Sequence, residues 1–351
     1  MTWSPFAALP SYFGGKRKLC PRIFREIARY IPQRKWPECT LLDPFAGGCS
    51  VSLYAKAQGF RVICGDVADR SYITARALIV NNTTKLRDDD IAGLVASTDT
   101  EGILTDVYAR RRRLLNWFVT DEVADLVRTM LANVERDADS ENDRYWLRRY
   151  LIVRFIFLNA PYGQMSTSVG LKAAAGNEEG LTSSQVRRLV TRWQRPLPFL
   201  MGVAGPINEA IFGNGREHVA FQGDARDFLD RYTGDVLYLD PPYPGVLDYE
   251  EAYWPIDCLL AGHMIPRVRS RFSHRQGWRY LAEILEAAED IPLWVISLGN
   301  AEVTLRELTH LIERYRPVSR SVIVKYAHLR NVASAQKTEE NREYLVMAFS
   351  P

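Results

Sequence analysis

The densest cluster of residues able to do chemistry is LDPPY at 239–243. Two consecutive prolines donate no backbone hydrogen bonds and cannot continue a central strand, so they fix the chain as it leaves a sheet. Such a turn holds the Asp240 carboxylate and the Pro241 carbonyl as neighbouring acceptors, with Pro242 stiffening the exit. Two acceptors can grip both hydrogens of one exocyclic amine. An amine such as N6 of adenine is a poor nucleophile because its lone pair is delocalised into the ring. Bonds from its hydrogens favour the pyramidal, attacking geometry, and Asp240 would stabilise the positive charge that develops as the nitrogen is alkylated. Tyr243 adds a flat face suited to stacking on a base withdrawn from a duplex. The bland alternative is a rigid turn with an incidental tyrosine.

A second cluster, DPFAGG at 43–48, sets Asp43 and a glycine turn where a strand gives way to a helix, so main chain can approach a ligand closely. An ordinary tight turn would use the same glycines. The sequence has neither GxGxxG nor GxxxxGK, which removes the main support for nicotinamide or triphosphate binding. Asp66, at the end of a second strand, can accept the hydroxyl protons of an adenosine ribose. Asp224 can accept an adenine amine or simply cap a helix. No histidine spacing suggests a metal, and none is expected. The five cysteines are scattered, odd in number and without a CxxC pair, pointing to a reducing compartment.

Positioning these groups requires strands that end at Asp43, Asp66, Asp224 and Asp240. The chain supplies them: strand 39–43, helix 50–58 and strand 61–65 form a βαβ unit, followed by a helix over about 68–82. Strands at 219–222 and 235–239 each deliver an aspartate. Helix 276–289, strand 292–298, helix 303–314 and a strand pair near 318–326 and 343–349 complete the alternation. An open, mostly parallel α/β sheet is expected, with ligands at the strand C-termini. Between 103 and 200 the texture changes to helical stretches and then a loop rich in Gly, Ser, Thr and Asn at 159–184. Helical periodicity returns at 183–194 and 206–212.

At 351 residues and 47% apolar, the chain has room for one large α/β domain with a smaller insertion. Its net charge of +3 is too small to argue for nucleic acid by itself, but the distribution is uneven: residues 201–262 carry 3 basic against 11 acidic side chains. Of the 45 basic residues 8 are lysine and 37 arginine, the fork that suits phosphates and base edges, although an arginine-rich genome gives the same bias. Arg267, Arg269, Arg271 and Arg275, just beyond the amine turn, are the better backbone-phosphate candidates. The run Arg110, Arg111, Arg112 and Arg113 would spread around a helix and reads as a solvated face. No apolar run is long enough to span a bilayer, so a cytoplasmic protein without membrane contact is expected.

FGGKRKL at 13–19, DPFAGG, Asp66, Asp224 and LDPPY occur in the order found in the Dam-like, D12-class adenine-specific DNA methyltransferases of the alpha arrangement, which this chain resembles along nearly its whole length. The resemblance implies a Rossmann-like methyltransferase sheet, S-adenosylmethionine as cofactor, double-stranded DNA as partner and action compatible with a monomer. It implies a catalytic domain formed by 1–102 and 201–351, with a helical target-recognition insertion at 103–200. Tyr12 and Lys16 would lie beside the methionine portion of the cofactor; Asp43, Phe45 and Gly47 would surround its methionine and sulfonium. Asp66 would hold the ribose, Asp224 would lie near the adenine amine, and Asp240, Pro241, Pro242 and Tyr243 would hold the target base. The loop reads DPFAGGCS rather than DPFxGxGS, so Cys49 stands where the pattern has glycine. RFIFLNAPYGQMSTSVG at 154–170 loosely resembles the segment that approaches DNA, so Asn159, Tyr162 and Gln164 would read or wedge into a base pair, or else form a buried turn. The function implied is N6-adenine methylation of a specific DNA sequence. Cytosine-N4 methylation and a catalytically idle nucleic-acid-binding scaffold are the alternatives.

Overall fold

The computed structural model describes residues 5–10, 12, 14–97, 121–136, 142–159, 194–242, 249–263, 265–266, 271–273, 277–300, 303–325 and 341–350. The chain divides into two compact units. One gathers Phe13–Ala75, Gly213–Tyr249 and Val268–Pro351; the other gathers Met1–Tyr12, Arg76–Phe212 and Glu250–Arg267.

The first unit holds the sheet. Its strands are β1 (Thr40–Asp43), β2 (Arg61–Asp66), β3 (Val219–Gln222), β4 (Val236–Leu239), β5 (Leu293–Gly299), β6 (Val318–Lys325) and β7 (Arg342–Phe349), in the order β3-β2-β1-β4-β5-β7-β6. β7 is antiparallel to both its neighbours, and the other pairings are parallel. VLYL in β4 and LWVISLG in β5 are buried along their full length, as a parallel sheet covered on both faces requires. The apolar run, without polar alternation, is the sequence's reason for that position.

Chain order moves outward from β1 to β2 and β3, then returns to β4 on the opposite side of β1. The direction therefore reverses between β1 and β4, which pair through Leu41 with Val236 and Leu42 with Leu237. Such a reversal leaves a crevice at the strand C-termini, where helices depart to opposite faces. Asp43 ends β1 and Asp240 follows β4, so both lie at that point.

Helices α1 (Cys20–Ile27), α2 (Ser50–Ala57) and α3 (Asp69–Ala75) belong to this unit. Pro21 sits in the first turn of α1, where its missing N–H costs no helical bond, and Ile23, Phe24 and Ile27 are buried. The helix expected over 68–82 is α-helical only to Ala75 and continues as a wider π-helical turn at Arg76–Val80.

In the second unit are α4 (Asp88–Leu94), α5 (Asp121–Arg136), α6 (Asp143–Asn159) and α7 (Pro196–Glu209). The sequence reading placed a helix at 206–212; α7 lies earlier. Its prolines and glycines concealed it, yet Pro196 occupies the first turn and Leu200, Val203, Ala204 and Ile207 make a buried face at helical spacing. Periodicity at 183–194 falls almost wholly outside the described residues.

Four further helices are described later in the chain. α8 (Ala225–Arg231) and α10 (Gly277–Ala287) pack on one another, and α9 (Tyr249–Ala261) went unread because Pro255 interrupts its pattern. α11 (Leu305–Ile312) begins with a capping box between Thr304 and Glu307. Among the described residues no helix is long and apolar enough to cross a membrane.

Candidate active site

The loop leaving β1 curls over the end of β2. Ala46 N–H donates to Gly65 O at 2.9 Å, and Gly47 N–H donates to Asp66 Oδ2 at 2.8 Å. Gly47 has φ +48°, a left-handed conformation that glycine adopts without a Cβ clash. Cys49 has φ +56°, so the residue standing in the pattern's glycine position keeps glycine's backbone geometry. Its thiol is fully buried and directed at Ser71 O. Burial first, then the neighbouring Cys64 and Asp43, push that thiol well above its ordinary range, so it is neutral and not a nucleophile.

Asp43 is 1% exposed. Its Oδ2 accepts the Ser52 hydroxyl at 2.6 Å, while Oδ1 is buried without a hydrogen-bond partner among the described residues. Burial raises its carboxyl, the Ser52 bond opposes that, and repulsion from Asp240 and Asp66 adds to it, bringing the pKa to about 7. Asp43 thus senses charge on both other carboxylates, one on each side of the switch point.

Asp66 spends both oxygens on main chain, Oδ2 on Gly47 and Oδ1 on Ala68 N–H at 2.9 Å. These two bonds fix the Asp66 carboxylate against the glycine loop at the end of β2. Asp224 caps α8 by accepting Arg226 N–H at 2.9 Å, and it also accepts the Tyr280 hydroxyl. That is the capping geometry the sequence left open. From Asp224 an aromatic path runs back to the loop: Phe272 lies 4.9 Å from Tyr280, and Phe45 meets Phe272 edge-on at 5.3 Å. Phe272 and Tyr280 were missed because their neighbours are arginines, which drew the reading toward phosphate.

Across the switch point, Pro241 is buried, Pro242 is half-buried and Asp240 is 19% exposed. Lys16 is not simply a neighbour of the cofactor loop. Its Nζ donates to Asp240 Oδ1 at 2.8 Å and to Gly14 O at 2.9 Å, and stands 3.5 Å from Glu343 Oε1. Burial alone would pull Lys16 toward the neutral amine, but the charges of Asp240 and Glu343 outweigh it and hold the group protonated, well above its ordinary value. Glu343 was missed as well; its signal is one acid in the otherwise apolar stretch of β7.

Tyr12 belongs to the second unit, where its ring stacks on Tyr253 at 4.8 Å. Asn159 is 2% exposed at the end of α6, where its Nδ2 donates to Phe155 O, in keeping with the buried alternative for this segment. Arg271 lies over the Tyr280 ring at 3.9 Å and pairs with Glu283. Tyr243, Tyr162, Gln164, Arg267, Arg269 and Arg275 lie outside the described residues.

With this geometry in view, residues 12–160 match the family model of the D12 class N6 adenine-specific DNA methyltransferases. Over 341 residues, 96% of this chain and 96% of the relative, the sequence is 26% identical to the type II methyltransferase M2.HphI of Haemophilus parahaemolyticus. It is 23% identical to the type II methyltransferase M.NlaIII of Neisseria lactamica, over 66% of this chain and 64% of that one. The same identity holds to the modification methylase StsI of Streptococcus sanguinis over 66% of this chain and 33% of that one.

Proposed function

We propose that this chain, whose residues 12–160 carry the D12 class N6 adenine-specific DNA methyltransferase match, transfers a methyl group from S-adenosylmethionine to N6 of adenine in DNA. The observation that carries this reading is the meeting of two strand ends: the glycine loop after β1 and the Asp240-Pro241-Pro242 turn after β4, at the reversal of strand order between β1 and β4. When bound, S-adenosylmethionine supplies a methyl group on a sulfonium, for capture by nitrogen with loss of a neutral thioether.

The residues fit that cofactor. Asp43 Oδ1 is a buried acceptor with an open valence for a cationic group, Gly47 lets main chain approach, and Phe45 offers an aromatic ring packed edge-on against Phe272. Asp240 and the Pro241 carbonyl orient the amine. Asp240 faces the nitrogen as it becomes cationic and, with water, is the acceptor for its proton. Tyr243 stacks on the extruded base. Two of the relatives are named type II methyltransferases and one a modification methylase, and with the family match to DNA methyltransferases this supports assigning DNA modification to the chain. Recognition of the duplex is assigned to the helical stretch at 103–200.

Methyl-labelled S-adenosylmethionine and duplex DNA, followed by nucleoside analysis, test the proposal. N6-methyladenine is expected; N4-methylcytosine would move the assignment to the other amine, and an unlabelled duplex would overturn it. Asp240→Ala should lower turnover by about 100-fold or more, and should also lower the melting temperature because the buried Lys16 ammonium loses its 2.8 Å partner.

A further inference from the structure

Lys16 is fixed by acceptors from three separated parts of the sheet unit: Gly14, Asp240 after β4, and Glu343 on β7. Glu343 is 0% exposed, and the Ser297 hydroxyl of β5 donates to its Oε1. It pairs with Gly299 across the antiparallel ladder, in the interior of the sheet. A carboxylate there is costly to desolvate, and an apolar residue of similar size would pack as well or better. The fold alone gives no reason for an acid at this position. The site does. Lys16 and Asp240 by themselves sum to zero, so an amine held at Asp240 would meet a neutral pair. With Glu343 the three groups carry one net negative charge, next to the nitrogen that becomes positive.

We propose that Glu343 is a positioning residue for methyl transfer, acting through Lys16 to fix the Asp240 carboxylate and to restore the negative charge that Lys16 would otherwise cancel. This rests on the methyl-transfer reading above. Among the described residues, groups coupled to the cluster include the Tyr238 hydroxyl, held neutral by burial, Ser297, and the Asp43 carboxyl, whose charge couples to Asp240.

Glu343→Gln tests it, because the amide keeps the shape and an oxygen for Lys16 while removing the charge. Expected are a kcat lower by about 10- to 100-fold, S-adenosylmethionine affinity within about 3-fold of wild type, and an acid limb of kcat moved to lower pH. Adding Lys16→Met should not lower kcat further in proportion, since the two residues act as one unit. A melting temperature that drops while kcat and its pH profile stay at wild type would overturn the proposal and make Glu343 purely structural. If Glu343→Gln fails to fold, Ser297→Ala decides: it should cost about 2- to 10-fold in kcat, and an unchanged kcat overturns the inference. Failure of the underlying reading is separable, since wild type would then place no label on adenine.

Discussion

Asp43 and His218 give the molecule opposite responses to pH. Asp43 keeps its proton up to about pH 7 in the folded chain but loses it near 4 when unfolded. Between those values the native state binds more protons. Stability from Asp43 is therefore full below about pH 4 and is lost as pH rises through about 7. Asp43→Asn should raise the melting temperature at pH 8 and leave it little changed at pH 5, while weakening cofactor binding; an equal offset at both pH values would mean the effect is packing. His218 is pulled down to about 3, by burial first and then by Lys56, Arg61 and Arg216. Its Nδ1 accepts Val62 N–H at 3.1 Å, which leaves Nε2–H to donate to Asn214 Oδ1. Here the folded value lies below the unfolded one, so the contribution is present above about pH 6.5 and is lost as pH falls toward 3. Denaturant melts of His218→Gln should show lower stability at pH 7.5 by about 1–2 kcal/mol and a flatter acid limb.

At the scale of elements, strands were the legible part. Unbroken apolar runs such as VLYL and LWVISLG can only be buried, and each ends at a turn signal. Helices carrying proline or glycine were not legible, because propensity is a weak prior that packing overrides. α7 is the clearest case. Neither Gly202 nor Gly205 has a neighbour within 4 Å of where a Cβ would sit, and neither needs a positive φ. Gly202→Ala and Gly205→Ala should therefore each stabilise by about 0.5–1 kcal/mol in equilibrium unfolding. A loss instead would mean those glycines serve something other than the helix. DPFAGG and LDPPY were readable as site elements because the turn chemistry is local. The Lys16 pairing was not, since its partner lies 224 residues away and only the order of strands brings them together.

Over the whole molecule, charge argues for where DNA would lie. The 201–262 segment is strongly acidic, whereas Arg267, Arg269 and Arg275 follow directly after it. If those arginines hold phosphates, each Arg→Ala variant should weaken binding similarly for any sequence and reduce the slope of log K against log salt by about 1. A variant that changes sequence preference with the slope intact would make that arginine a base reader. The fold class was legible from the alternation of strands and helices, but the placement of β7 between β5 and β6 was not, because a hairpin read in sequence puts its later strand at the edge.

That placement ties the charge of the site to the last strand. β7 is the latest strand in chain order, yet it slots between two earlier ones, bringing Glu343 beneath the Lys16 ammonium. Without that strand Lys16 keeps its bond to Asp240 but lacks the second carboxylate, so the charge of the cluster depends on a segment near the far end of the sequence.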